Sequence, residues 1–206
     1  MESNIEDMKK HFALIMMLLL CVGAHAESAK RILDKAAATV SNPGGVQARF
    51  QMISKQFGST EGEIAVKGNK FHATTPDATI WFDGKTQWTY MKGNDEVNIS
   101  NPTEAQLQAI NPYNFINIYK KGYKLSSKKV ENSHEVHLIP TDKKRKIQEM
   151  YIIVDANTYH PTHVKMKIND KWSTIIISRL KTATLSDNLF QFNSKDFPKA
   201  EIIDLR

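Results

Sequence analysis

With 206 residues and a single Cys, the chain cannot build a disulfide scaffold, so its stability has to come from a buried core. Its 28 basic and 22 acidic residues leave a net charge of +6 that is dispersed, and only Lys143-Lys144-Arg145-Lys146 forms a run. No aromatic residue interleaves with that run, which argues against nucleic-acid binding and leaves two readings, the solvated turn of a hairpin or a docking surface for anionic lipid or an acidic partner.

Residues 1–26 read as a secretory signal peptide. Lys9, Lys10 and His11 form a positive start, Phe12–Val22 is an apolar run, and Ala24-His25-Ala26 supplies small residues for cleavage. The acidic stretch before Met8 fits no such leader, which points to Met8 as the alternative start. Cys21 follows Leu20, not the small residue that precedes a lipidated Cys, and so reads as an apolar residue of the leader. Cleavage removes two Lys and three acids, leaving 26 basic and 19 acidic residues, a net of +7 in a single domain over residues 27–206.

Ser28–Val40 reads as a helix, with Ile32, Leu33, Ala36, Ala37 and Val40 on one stripe, and Asn42-Pro43-Gly44-Gly45 stops it. Val46, Ala48, Phe50 and Met52 alternate with Gln47, Arg49 and Gln51 as a half-buried strand. From Glu61 to Ser100 follow four or five short strands punctuated by Gly68-Asn69, Pro76-Asp77, Asp83-Gly84 and Gly93-Asn94, a hairpin meander. Ile64, Val66, Phe71, Ile80, Trp81, Phe82, Trp88 and Tyr90 fill it, either as core or as the wall of a cavity.

Asn101-Pro102 and Asn111-Pro112 each pair an N-capping Asn with a Pro suited to the first helical position. They predict helices over Pro102–Ile110 and Pro112–Lys121, the second carrying Tyr113, Phe115, Ile116, Ile118 and Tyr119 and ending at Gly122. Strands are expected at Tyr123–Val130, Glu135–Ile139, Ile147–Val154, Pro161–Ile168 and Trp172–Leu180, then at Leu189–Phe192 and Ala200–Ile203. The fold class is mainly β (α+β): about ten antiparallel strands in a strongly curved sheet or open barrel with about three helices against it.

The chemistry-bearing residues are sparse. His134/His137 and His160/His163 have three-residue spacing, but in strands residues three apart point to opposite faces and cannot clamp one metal ion. There is no nucleophile motif and no Gly-rich phosphate loop, and Asp83 and Asp155 sit at hairpin ends where Asp serves the turn. The reading is a binding protein, with no enzyme activity, cofactor or metal. Alternation picks out Phe50, Met52, Ile64, Val66, Phe71, Trp88 and Tyr90 as one cavity-lining set; a one-residue slip in any strand would reverse its contribution. Ile32, Leu33, Ala36, Val40, Phe115, Ile116 and Tyr119 form the apolar stripes of lid helices.

A helix, then VQARFQ, GEIAVKGNKF, DGKTQWTY, the two Asn-Pro helices and LSDNLFQFNSKDFPKAEI near the end resemble, in that order, the outer-membrane lipoprotein carrier protein (LolA-like) family. The resemblance implies an antiparallel half-barrel of about eleven strands under helices. It implies a periplasmic chaperone that takes acylated lipoproteins from an inner-membrane ABC-type release complex and passes them to an outer-membrane acceptor; since each cargo needs its own cavity, such a carrier is expected to be a monomer. The acyl chains would lie between sheet and lid. The alternative is a lipid- or lipoprotein-sensing regulatory domain of the same fold. The chain departs from the family at Lys67-Gly68-Asn69-Lys70-Phe71, where members commonly carry Arg-Pro, an Arg tied to lid and release. Lys67 and Lys70 lack that planar fork, while Phe71 matches the apolar position after the turn.

Overall fold

The computed structural model describes residues 27–55, 58–103 and 117–206. The expected leader, residues 1–26, lies outside them, as do Phe115, Ile116 and most of the two Asn-Pro helices. Among the described residues there is one α-helix, α1 (Ala29–Val40). Ser28 caps it by accepting a 3.3 Å hydrogen bond from the Arg31 N–H, and the Ser41 hydroxyl donates to the Ala37 carbonyl at its end. The end of the second expected helix is a 3-10 turn, Ile118–Lys120.

The first meander runs β1 (Val46–Ser54), β2 (Gly58–Lys67), β3 (Lys70–Thr74), β4 (Ala78–Phe82), β5 (Gln87–Met91) and β6 (Glu96–Ser100). The second runs β7 (Tyr123–Val130), β8 (Ser133–Pro140), β9 (Ile147–Asp155), β10 (Pro161–Ile168) and β11 (Lys171–Thr182); β12 (Glu201–Asp204) closes the chain. Together they form one open sheet of twelve strands, against about eleven expected, in the order β12-β6-β5-β4-β3-β2-β1-β11-β10-β9-β8-β7. Neighbours are antiparallel except β12, which lies parallel to β6. The two meanders therefore meet along a single seam, β1 against β11.

Turn chemistry sets the hairpins. Gly68 takes φ +60° between Lys67 and Lys70, and Asn169-Asp170 both take positive φ between Ile168 and Lys171, as tight hairpin turns require. The basic run falls in the β8–β9 connection, with Arg145 over the Tyr123 ring at 4.9 Å and the Asp142 carboxylate accepting from the Lys144 N–H.

The helix packs on one face of the second meander. Its buried Ala29, Ile32, Leu33, Ala36, Ala37 and Val40 meet Val136, Leu138, Met150, Ile152, Val154, Val164 and Ile175. Burying each large side chain stabilises the fold by roughly 1.5–3 kcal/mol. Polar contacts fix the helix in place: Tyr119 donates to Asp34, Tyr159 to Glu27 at 2.8 Å, and Lys35 pairs with Glu27 at 2.8 Å.

The chain from Ala183 to Ala200 crosses the opposite face of the sheet as a strap containing two 3-10 turns, Asp187–Phe190 and Ser194–Asp196. The strand expected at Leu189–Phe192 is therefore corrected. Ser186 accepts from the Asn188 N–H and Asn193 from the Lys195 N–H, so local side chains take the backbone donors that a strand would offer to a neighbour.

Gly62 faces Phe50 across the β1–β2 pair, and a Cβ there would lie 2.0 Å from the Thr74 carbonyl oxygen and 2.9 Å from the Phe50 ring. Backbone cannot yield as a side chain does. Gly62→Ala should cost about 2 kcal/mol and lower the melting temperature by several degrees, measured by circular dichroism.

Candidate functional site

The pairing register divides the side chains of the first meander cleanly between two faces. Val46 pairs with Val66, Ala48 with Ile64, Val66 with Phe71, Ile64 with Ala73, and Phe71 with Phe82. All lie on the face that carries α1 and form a second apolar cluster, with Phe50, Ile80, Ile177 and Leu180 packed against it. Phe50 and Ile177 also touch the cluster under the helix, so one apolar surface runs across the seam. The Phe71 and Phe82 rings lie 5.4 Å apart, and their side chains are 1% and 2% exposed.

Of the seven residues expected to line one surface, Phe50, Met52, Ile64, Val66 and Phe71 share this face. Trp88 and Tyr90 do not. Trp88 pairs with Trp81 and Tyr90 with Thr79, whereas Phe82 pairs with Gln87, so Gln87 and Thr89 take the helix-side positions of β5. The error is one of parity: Ile80-Trp81-Phe82 is apolar on both faces, and a continuous apolar run carries no alternation to read. Phe82 and Ile80, named as core or cavity wall of the meander, were left out of the lining set for the same reason, as were Ile177 and Leu180, and the alternation of β11 is further broken at its C-terminal end by a bulge.

Trp88 and Tyr90 share the outer face with the residues held under the strap. There Trp81 meets Phe192 and Phe197 edge-on, both at 5.5 Å, and Tyr90 meets Phe197 at 4.6 Å while donating to Asp95 at 2.8 Å. Phe190, fully buried, packs with Leu185 on Ala65. Burial pushes the His72 pKa down beside Trp81.

Ile32, Leu33, Ala36 and Val40 turn toward the sheet, but onto β8–β11, not onto the Phe71–Phe82 cluster. Tyr119 is buried with them, and desolvation together with its hydrogen bond to Asp34 raises its pKa. Gln87 is buried on the helix side with its Oε1 lacking a hydrogen-bond partner among the described residues, while its Nε2 donates to Thr89 at 3.1 Å.

Lys67 and Lys70, the cations at the departure from the family pattern, turn to the strap. Lys67 donates to the Leu185 carbonyl at 2.9 Å and pairs with Asp187 at 3.1 Å; Lys70 reaches the same carboxylate at 3.3 Å. Hydrogen bonds from Lys67 and then Lys70 hold the Asp187 pKa below its usual range.

His134 and His137 separate as strand geometry demands. His137 stacks on Tyr151 at 4.3 Å and bonds to Glu149 on the outer face, whereas His134 pairs across from the core residue Val154. Among the described residues no group of three or more His, Cys, Asp or Glu is placed to hold a metal ion, and no helix is long and apolar enough to cross a membrane.

A family model described as "Outer membrane lipoprotein carrier protein LolA" matches residues 19–170. No curated protein matches the chain. Among solved structures, an uncharacterized conserved protein from Thermus thermophilus is similar over 85% of this chain and 98% of its own, with a TM-score of 0.58 and 11% identity, a likeness of fold. A LolA superfamily protein from Nitrosomonas europaea aligns at TM-score 0.44 and 14% identity, over 81% of this chain and 99% of its own. A putative outer membrane lipoprotein-sorting protein domain from Vibrio parahaemolyticus aligns at 0.46 and 15%, over 84% and 99%.

The Asp187 contacts make a signed prediction. A depressed folded-state pKa contributes stability that is fully present above the unfolded value, about 4 for Asp, and is lost as pH falls through the folded one. Acidification below about pH 4 should loosen the strap and change the fluorescence of Trp81. Asp187→Asn should remove that component of the titration at low pH and weaken strap protection at neutral pH.

Proposed function

Because the chain belongs to the outer membrane lipoprotein carrier protein LolA family, we propose that it is a periplasmic chaperone that carries lipoproteins from the inner to the outer membrane. Their acyl chains lie on the apolar face of β1–β4. The export leader at residues 1–26 delivers the protein to the periplasm, where it meets an inner-membrane ABC-type release complex and an outer-membrane acceptor.

The observation that supports this reading is the continuous apolar surface built by Phe50, Ile64, Val66, Phe71 and Phe82, which adjoins the cluster under α1 through Phe50. It offers contact and no chemistry, which is what a hydrocarbon requires. Each hidden methylene is worth about 0.8 kcal/mol, so a chain of about fourteen represents roughly 11 kcal/mol. Two or three such chains cannot cross water unaided. Release then becomes the difficulty, and the burial of Phe71 and Phe82 addresses it. An entering chain has to displace protein atoms from that surface, and the surface closes again as the chain leaves, which offsets part of the binding free energy.

Native mass spectrometry of protein purified from the cell envelope should show co-purified acylated protein. Phe50 is only half-buried, so Phe50→Ser should keep the fold yet reduce that co-purification several-fold. An acyl-free wild-type protein under conditions where lipoproteins are abundant would refute the carrier reading. Where uptake requires the lid to move, an engineered disulfide between α1 and β8 should block lipoprotein uptake and restore it on reduction; unchanged uptake would show that the helix stays in place.

A further inference from the structure

The outer face carries a groove that the carrier reading does not use. It measures about 490 Å³ and lies between β1–β3, β11 and the strap, with Ala65 and Leu189 among its apolar lining. Arg49, Arg179 and Lys181 line it, with Glu63 as its carboxylate and His72 beside them.

Arg179 is the informative residue. The β1–β11 register slips between Gln47 and Arg49, which pair with Lys181 and Ser178, so Arg179 and Leu180 form a bulge opposite Ala48. Arg179 has φ +53°. The other non-glycine residues with positive φ among the described ones are Asp95, Glu131, Tyr159, Asn169 and Asp170, all in turns or loops; Arg179 stands within a strand. A left-handed residue without a glycine's freedom is strained, and bulges re-aim side chains. Arg179 is exposed and has no hydrogen bond or ion pair among the described residues to compensate for that strain. Arg49, by contrast, is paired with Glu63 at 3.0 Å.

Charge narrows the ligand. Three cations against one carboxylate leave this groove a surplus of two positive charges. The adjoining hollow, which shares Arg49, Glu63 and Thr74, is balanced, because Glu61 and Glu63 offset Arg49 and Lys92. Two guanidinium groups match planar or tetrahedral oxyanions with paired hydrogen bonds. We propose that the outer groove binds a phosphate monoester borne by a small polar molecule, with Arg49, Arg179 and Lys181 holding its oxygens. The site is independent of the acyl-chain surface, since it lies on the opposite face of the sheet.

The test is calorimetric titration of the purified protein with glycerol 3-phosphate, with glycerol as control, and sedimentation with phosphatidylglycerol vesicles as a separate arm. Saturable binding of glycerol 3-phosphate, weakened about tenfold or more by Arg179→Ala and reduced by Lys181→Ala, is expected. Arg179→Gly should bind as weakly as Arg179→Ala while melting higher than wild type by about 2–4 °C, because strain is released and the ligand contact is lost. Absence of saturable binding, binding indifferent to Arg179→Ala, or an Arg179→Gly protein that melts lower than wild type would overturn the assignment. So would Arg179-dependent vesicle binding without binding of the soluble ester, which would make the groove a reader of bilayer headgroups.

Discussion

The pairing of β1 with β11 decides what every other strand presents to each face. It is the one seam between two meanders that are otherwise built from local hairpins. Because strand side chains alternate with period two, the seam fixes the parity of both meanders at once. Phe50 opposite Ile177, and Met52 opposite Ile175, make the surface under α1 continuous with the Phe71–Phe82 cluster. The bulge at Arg179 is the local irregularity in this seam, and it falls toward the end where strap and groove begin. One register thus produces an apolar face on one side and a polar, cationic recess on the other.

The division of labour between the faces follows from this arrangement. On the helix side, α1 packs on the second meander and reaches the first only at the seam strand β1, and its polar anchors, Glu27, Asp34 and Lys35, bind to Tyr119 and Tyr159. On the outer side the strap is held by aromatic packing and by the shared Asp187 carboxylate between Lys67 and Lys70. In the family pattern an Arg stands near these lysines, in a turn tied to the lid. Here the turn's cations serve the face opposite α1, where they hold the strap through Asp187 and the Leu185 carbonyl.

Much of the fold was legible because the signals were local. Gly68-Asn69 and Asp83-Gly84 marked hairpins at which backbone sterics leave little choice, and the limits of Tyr123–Val130 and Pro161–Ile168 coincided with β7 and β10. The site was legible only in part because facing is not local. Phe50, Met52, Ile64, Val66 and Phe71 sit in strands with clear alternation, whereas Trp88 and Tyr90 follow a run that is apolar on both faces and lost their parity there. The strap was mistaken for a strand because Leu189 and Phe190 are apolar; the capping hydroxyl of Ser186, three residues before Leu189, was the signal that could have corrected it. The Arg179 groove could not be read at all, since it depends on a bulge and on a crossing of the chain that sequence spacing does not encode.

The seam also dictates when the molecule can fold. Ser54 and Ser173 touch across it although they are 119 positions apart in sequence. Hairpins within each meander close over microseconds, but a pairing of that separation must first overcome the loop entropy between its strands. The seam therefore cannot close before β11 has been made, and strap and β12 follow it. A chain whose local hairpins close first would carry two half-sheets, each with an unsealed apolar face and an unpaired edge at β1 or β11. The slow step of folding is the meeting of those halves, and in that interval the chain is most exposed to aggregation and most dependent on whatever shields it.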